Sequence, residues 1–281
     1  MACGRIRRDL VRPWTDLLNG ELSHLQVAAI HLDTDEKMDI ETGNREYGFV
    51  LISGHCEFSI QDTEHYILGP RLNPFDEKPY ALLVTRDQKV TIRALSPSFL
   101  GVGSAPAMDR MENRLILPEN CGGGTRGSDN WQRDVRFVIW SDNSKGNMLL
   151  MGETITPSGN WSTIPPHRHQ YDTPGEEVPY EEAYFFQFSS DTGFALAWQF
   201  DDAGQMDQAF SIKANDVLYM DQGYHPVACG PGACLYQLTL MAGPRRLSKS
   251  RVHDDFKSLL DEKGMENPYS KQVTTGRSDR S

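Results

Sequence analysis

Long apolar runs are missing from this sequence. None approaches the ~18 to 20 residues that a helix needs to cross a bilayer, so no spanning helix and no membrane partner are expected. An excess of basic residues is missing too: 28 Lys+Arg stand against 39 Asp+Glu, a formal charge of −11. A groove that tracks phosphates is therefore disfavoured, and nucleic acid is not expected as a partner. No dense, even set of cysteines is present. Cys3, Cys56, Cys121, Cys229 and Cys234 are scattered through 281 residues, which excludes a disulfide scaffold and reads as free thiols in a reducing compartment. Cys229 and Cys234 enclose Gly230-Pro231-Gly232 and are expected to flank a hairpin turn. Behind the charged start, Met1 to Arg8, lies no apolar stretch resembling a signal peptide. The expectation is a cytoplasmic globular protein, since 38% hydrophobic and 24% charged residues exclude dominant disorder.

What is present is a succession of short apolar runs, many of them β-branched or aromatic, that end in Gly, Pro, Asn or Asp. Residues 26–32, 48–60, 80–85, 89–95 and 99–103 read as strands in the first half. Residues 135–140, 149–156, 182–188, 194–200, 216–220 and 234–241 do so in the second. Strands at this spacing without intervening helical patterns predict a mainly β protein of sandwiches or barrels. The halves look like variations on one plan: 46–60 followed by 81–90, then 182–200 followed by 217–227. Turn residues crowd Pro118–Asp129, which places the boundary there. The resulting units are residues 20–125, 126–246 and a C-terminal segment, 247–281. In that segment Val252, Phe256, Leu259 and Leu260 recur at helical spacing, with Asp254 and Asp255 in the first turn and Gly264 to end it. A short docked helix over 252–263 is predicted, followed by a mobile tail from about Ser270.

The residues that carry chemistry lie in the second half. His167 and His169 stand two apart, so on extended backbone they share a face while Arg168 points the other way. Two imidazoles so placed can grip one ion. Strand alternation puts Glu182, Tyr184, Phe186 and Phe188 on one aromatic, buried face. A carboxylate there needs a partner, because an isolated buried charge is very costly. His225, in Gly223-Tyr224-His225-Pro226, is a further donor on a later strand. The set His167, His169, Glu182 and His225 offers three neutral nitrogens and one anionic oxygen. It suits one divalent ion, Zn, Mn, Fe, Co or Ni, with zinc as the working choice. His24, His31, His55, His65 and His253 show no such grouping.

A His-x-His on one strand, a Glu after it and a single later His resemble the metal signature of the cupin barrel. The words Gly159-Asn-Trp-Ser-Thr-Ile-Pro-Pro-His-Arg-His169, Glu181-Glu-Ala-Tyr-Phe-Phe186, Gly193-Phe-Ala195, Gly223-Tyr-His-Pro-Val227 and Met241-Ala-Gly-Pro244 resemble the 5-deoxyglucuronate isomerases of myo-inositol catabolism, a bicupin family. Glu41-Thr-Gly-Asn-Arg-Glu46, Leu51-Ile-Ser-Gly54 and Asn73-Pro-Phe-Asp76 match the same family in the first half, so the resemblance spans about residues 25 to 246. The related 5-dehydro-4-deoxyglucuronate isomerases of pectin breakdown have a shorter gap between His-x-His and Glu. The long interval Gln170–Glu181 favours the inositol branch. Two departures bear on the substrate: Gln170 stands where that branch usually has an acid, and Asp221-Gln222 replaces a Pro-basic pair.

The resemblance implies two tandem cupin barrels, an N-terminal one without ligands and a C-terminal metal-binding one, assembled from identical chains. It implies aldose–ketose isomerisation of a small sugar acid, 5-deoxy-glucuronate to 5-dehydro-2-deoxy-gluconate, with an enediolate between. Glu177 and Tyr184 are the candidates for moving the proton, and Arg133 for the substrate carboxylate. Another uronate as substrate, an iron-dependent cupin dioxygenase and a non-catalytic sugar-binding cupin stand as alternatives.

Overall fold

The computed structural model describes residues 2–261 and is almost entirely β. The first half forms an eight-stranded antiparallel sheet built around two long strands, Arg45–Ile60 and Lys89–Pro106, paired along their whole length. Register shifts between Leu51 and Cys56 bend the pair. On one side of the bend the partners are Gln26–Leu32 and Ala81–Val84; on the other they are Lys37–Glu41 and Glu64–Arg71. The sheet thereby folds over its own core, a barrel filled by Ile30, Phe49, Leu51, Phe58, Leu100, Val102 and their neighbours. The sequence reads 89–95 and 99–103 as two strands, and they are one bent strand.

The second half has two layers. A seven-stranded sheet runs, in spatial order, Cys3–Ile6, Val217–Met220, Glu181–Phe188, Leu235–Ala242, Leu149–Thr156, Arg133–Ile139, Gly122–Arg126. A four-stranded sheet of Trp161–Ser162, Val227–Cys229, Ala195–Phe200 and Asp207–Ile212 closes over part of it. Tyr184, Phe186, Ala197, Ile212, Leu218 and Met220 fill the space between them. Cys229 and Cys234 do not flank a hairpin: Val227–Cys229 belongs to the smaller sheet and Leu235–Ala242 to the larger, so the Gly-Pro-Gly turn carries the chain between layers. All five cysteines are free thiols.

Alternation explains why so many strands read as unbroken apolar runs. In Gln26–Leu32, Ile30 and Leu32 face the first barrel while Val27 and Ala29 face a shared core between the halves. In Glu181–Phe188, Ala183 and Phe185 face that shared core while Glu182, Tyr184 and Phe186 face the second barrel's interior. Strands covered on both faces have no polar side to display. The halves also exchange carboxylates. Glu46 accepts the consecutive backbone N–H groups of Asn147, Met148 and Leu149 at 2.6–2.7 Å. Glu181 accepts those of Ser23, His24 and Leu25 at 2.8 Å. Each charge is thus met by three donors of the other half, which offsets its burial.

Helical backbone in the C-terminal segment starts later than predicted. Arg251–Val252 forms a two-residue strand against His167–Arg168, and helical backbone starts only at Asp254, where the His253 side chain accepts the N–H of Asp255. One turn of α-helix follows, Ser258–Asp261. Pairing of Val252 takes up the backbone groups that a helix start needs. The end of the predicted helix and the predicted mobile tail lie outside the described residues. No helix among the described residues is long and apolar enough to cross a membrane.

Candidate metal centre

Three of the expected ligands converge. One donor atom each from His169, Glu182 and His225, all buried, lie within 4.8 Å of one another. Glu182 comes from the middle of the seven-stranded sheet, paired with Met220 on one side and Met241 on the other. His225 follows a turn at Gly223, whose φ of +72° suits glycine and where a Cβ would overlap Met206. His169 follows the short strand His167–Arg168 and stacks flat on Tyr180, ring centroids 3.8 Å apart.

The hydrogen bonds behind the ligands set their protonation. His169 Nδ1 lies 2.8 Å from the Tyr180 carbonyl, His225 Nδ1 3.2 Å from the Gly223 carbonyl and His167 Nδ1 3.0 Å from the Pro165 carbonyl. A carbonyl only accepts, so every Nδ1 donates, and in the neutral ring Nε2 carries a lone pair. Burial pushes the His167 imidazolium down to about 3 and lowers that of His225 as well. Both rings are therefore neutral at pH 7.

Glu182 Oε2 then sits 2.9 Å from His169 Nε2 and 3.3 Å from His225 Nε2. His225 Nε2 is buried without a hydrogen-bond partner. Lone pairs aimed at a buried carboxylate need a cation among them. A divalent ion fits this donor set on its chemistry: neutral imidazole Nε2 atoms, one anionic oxygen and a backbone acceptor behind each ring, the usual support of metal-ligating histidines. His167, the fourth expected ligand, borders the cluster with its ring 5.0 Å from that of His225 and lies outside the tight three-atom group.

A cavity of about 390 Å³, in the range that takes a small ligand, is lined by Glu182 of the cluster and by His167. Its floor follows from register. Gln237, Thr239 and Met241 alternate inward on one strand, opposite Phe186, Tyr184 and Glu182 on the next. Tyr184 lines the cavity with its ring 5.8 Å from that of His225. Arg133 also lines it, with its guanidinium donating to the carbonyls of Trp131 at 3.1 Å and Ile164 at 2.9 Å. Glu177 is not among the lining residues. Its carboxylate is buried 3.5 Å from the Arg168 guanidinium. Burial raises its carboxyl while Arg168 works against that rise.

Sequence reasoning passed over Tyr180, Gln237 and Arg126. A glutamine inside the apolar run Leu235–Ala242 was the available signal for Gln237, and an arginine inside a glycine-rich stretch was the signal for Arg126. Gln170 accepts the N–H of Gly223 at 2.7 Å and so ties the His169 segment to the His225 turn.

Two barrels sharing one core, of which the second holds a converged His/Glu cluster, make the chain a bicupin. Comparison agrees and is narrower: a KduI/IolB family model matches residues 14–259, and the chain belongs to the KduI/IolB family. The chain is 32% identical over 224 residues to a 5-deoxy-glucuronate isomerase of Geobacillus thermodenitrificans, covering 79% of this chain and 81% of that protein. It is 29% identical to the 5-deoxy-glucuronate isomerase of Halalkalibacterium halodurans, covering 82% and 86%. The crystal structure of an IolB-like protein from Salmonella typhimurium superposes with a TM-score of 0.81 at 28% identity, covering 84% and 90%. Lactobacillus farciminis oxalate decarboxylase shares the fold, TM-score 0.61 at 11% identity over 92% and 96%. The expectation of an isomerase is thus borne out by the relatives, and that of a bicupin by the fold.

Proposed function

We propose that this chain is a divalent-metal-dependent aldose–ketose isomerase that converts 5-deoxy-glucuronate to 5-dehydro-2-deoxy-gluconate. The observation that carries the reading is the convergence of His169, Glu182 and His225, with Nδ1 of both rings tied to backbone carbonyls, beside a sugar-sized cavity that Glu182 and His167 line. The names of the relatives supply the substrate. His169, Glu182 and His225 would hold the ion, with His167 as the fourth ligand. A divalent ion held there would supply Lewis acidity that stabilises negative charge developing on oxygen.

The reaction moves one hydrogen from C2 to C1 and one from the C2 hydroxyl to the C1 oxygen, so it needs no external oxidant or reductant. We assign the transfer between the carbons to Tyr184, which shares the inward face with Glu182 and lines the cavity. Glu177 is instead a positioning residue: through Arg168 it steadies the strand that presents His167 and His169. The buried walls, Tyr180, Tyr184 and Met241, exclude water from the reacting carbons.

Incubating the purified protein with 5-deoxy-glucuronate and following the new ketone by carbon NMR tests the reading. Turnover that falls about 100-fold in Tyr184→Phe, with KM and metal content retained, is expected. Turnover of a different uronate in place of this one would reassign the substrate.

A further inference from the structure

We propose that Arg126, on the glycine-rich edge strand Gly122–Arg126, recognises the carboxylate of the sugar acid, and that Arg133 supports it from the neighbouring strand. The substrate's identity rests on the isomerase reading; the anion subsite rests on register and side-chain partners. Arg126 lies directly opposite Arg133 in the antiparallel pair, so both side chains leave the same face of the sheet, and both line the cavity that Glu182 and His167 also line. Like charges set directly across a strand pair repel one another. An anion seated beside both relieves that repulsion.

The partners separate the roles. Arg136, a third lining arginine, donates to Asp134, to Glu153 and to the carbonyls of Pro74 and Glu77. Arg133 is 3% exposed and turned onto the carbonyls of Trp131 and Ile164. Gly127, with φ of +76° and no room for a Cβ beside the Trp131 carbonyl, makes the turn that brings this carbonyl to Arg133. Arg126 is half-buried, and its only polar contact among the described residues is the carbonyl of Thr125 at 3.4 Å. It forms no ion pair with any described residue. A guanidinium fork left over in a cavity of a net acidic protein is suited to a planar carboxylate.

Calorimetric titration of the intact protein with D-gluconate, a six-carbon acid that cannot undergo the isomerisation, and with D-glucitol, its uncharged counterpart, tests the proposal without turnover. Wild type is expected to prefer gluconate. Arg126→Met is expected to weaken gluconate about 30-fold, the effect of losing a charge-assisted pair, and to leave glucitol within about twofold. Arg126→Lys, which keeps the charge but loses the fork, is expected to weaken gluconate about fivefold; it decides the matter if the Met variant does not fold. Equal binding of the two probes by wild type, or wild-type gluconate affinity in the variants, overturns the proposal. If gluconate binds through Arg126 while 5-deoxy-glucuronate is not isomerised, the anion subsite stands and the reaction reading fails. If isomerisation proceeds and Arg126→Met binds gluconate as wild type does, the reverse holds.

Discussion

Behind each histidine of the centre stands a backbone carbonyl, from Tyr180, Gly223 or Pro165, and these oxygens make Nε2 the available nitrogen. Main-chain oxygens carry no residue signature, so this half of the site was not legible in the sequence. The candidate ligands were: alternation put His167 with His169, and Glu182 on a buried face. Glu177, an acid near those histidines in sequence, is buried against Arg168 and is not among the cavity's lining residues. The thiols bear a separate prediction. Burial pushes Cys56 up to about 11 and Cys121 to about 12, the nearby Glu153 charge adding to the second. Their ordinary value is 9.0. Above pH 9 the unfolded chain therefore releases protons that the folded chain retains, and stability falls through the interval from 9 to 11–12. Denaturant midpoints are expected to drop between pH 8 and pH 10 in wild type and to drop less in Cys56→Ala and Cys121→Ala. At pH 8, iodoacetamide followed by peptide mass spectrometry should find both thiols unmodified until the protein is unfolded.

The central strands of each half were readable because their apolar runs are long: 26–32 and 149–156 match the observed elements. Strands that were missed are polar or very short. Glu64–Arg71 and Asp207–Ile212 lie at the exposed margins of their sheets, and Trp161–Ser162 and Arg251–Val252 are defined only by their partners. Gly122–Arg126 was read as part of a boundary, yet it pairs through five residues with Arg133–Ile139. At the contact between the halves, Gly48, Gly101 and Gly103 lie flat under Met151, Leu238 and Leu240. A Cβ at Gly101 would overlap Leu238, so Gly101→Val is expected to destabilise by about 1–3 kcal/mol through overpacking, read as a lowered denaturant midpoint.

The two halves share one core and are therefore expected to fold as one body. Their shared core draws side chains from Gln26–Leu32 and Arg45–Ile60 on one side and from Leu149–Thr156 and Leu235–Ala242 on the other. Within it the Arg71 guanidinium pairs with Glu153 at 2.7 and 2.9 Å, with Arg136 and the Tyr236 hydroxyl on the same carboxylate. Cys3–Ile6 completes the sheet of the far half. Internal similarity between the halves was visible in the sequence; their reciprocal Glu46 and Glu181 contacts were not, since each depends on backbone donors about 100 or more residues away. Replacing either glutamate by alanine leaves three backbone N–H groups without their acceptor, at a cost of about 3 kcal/mol. Thermal scans of both variants should show a lower midpoint in a single transition; a second, separate transition would mean that the halves fold independently.

The central claim, that donors from three separate stretches of the second half hold one ion, is tested most directly by the metal content of the purified protein. Mass spectrometry of the elements is expected to find about one divalent ion per chain in wild type. His225→Ala and Glu182→Gln, folded by circular dichroism, are expected to hold almost none. Wild type without a transition metal after growth and dialysis in its presence, or full occupancy in either variant, would contradict the account.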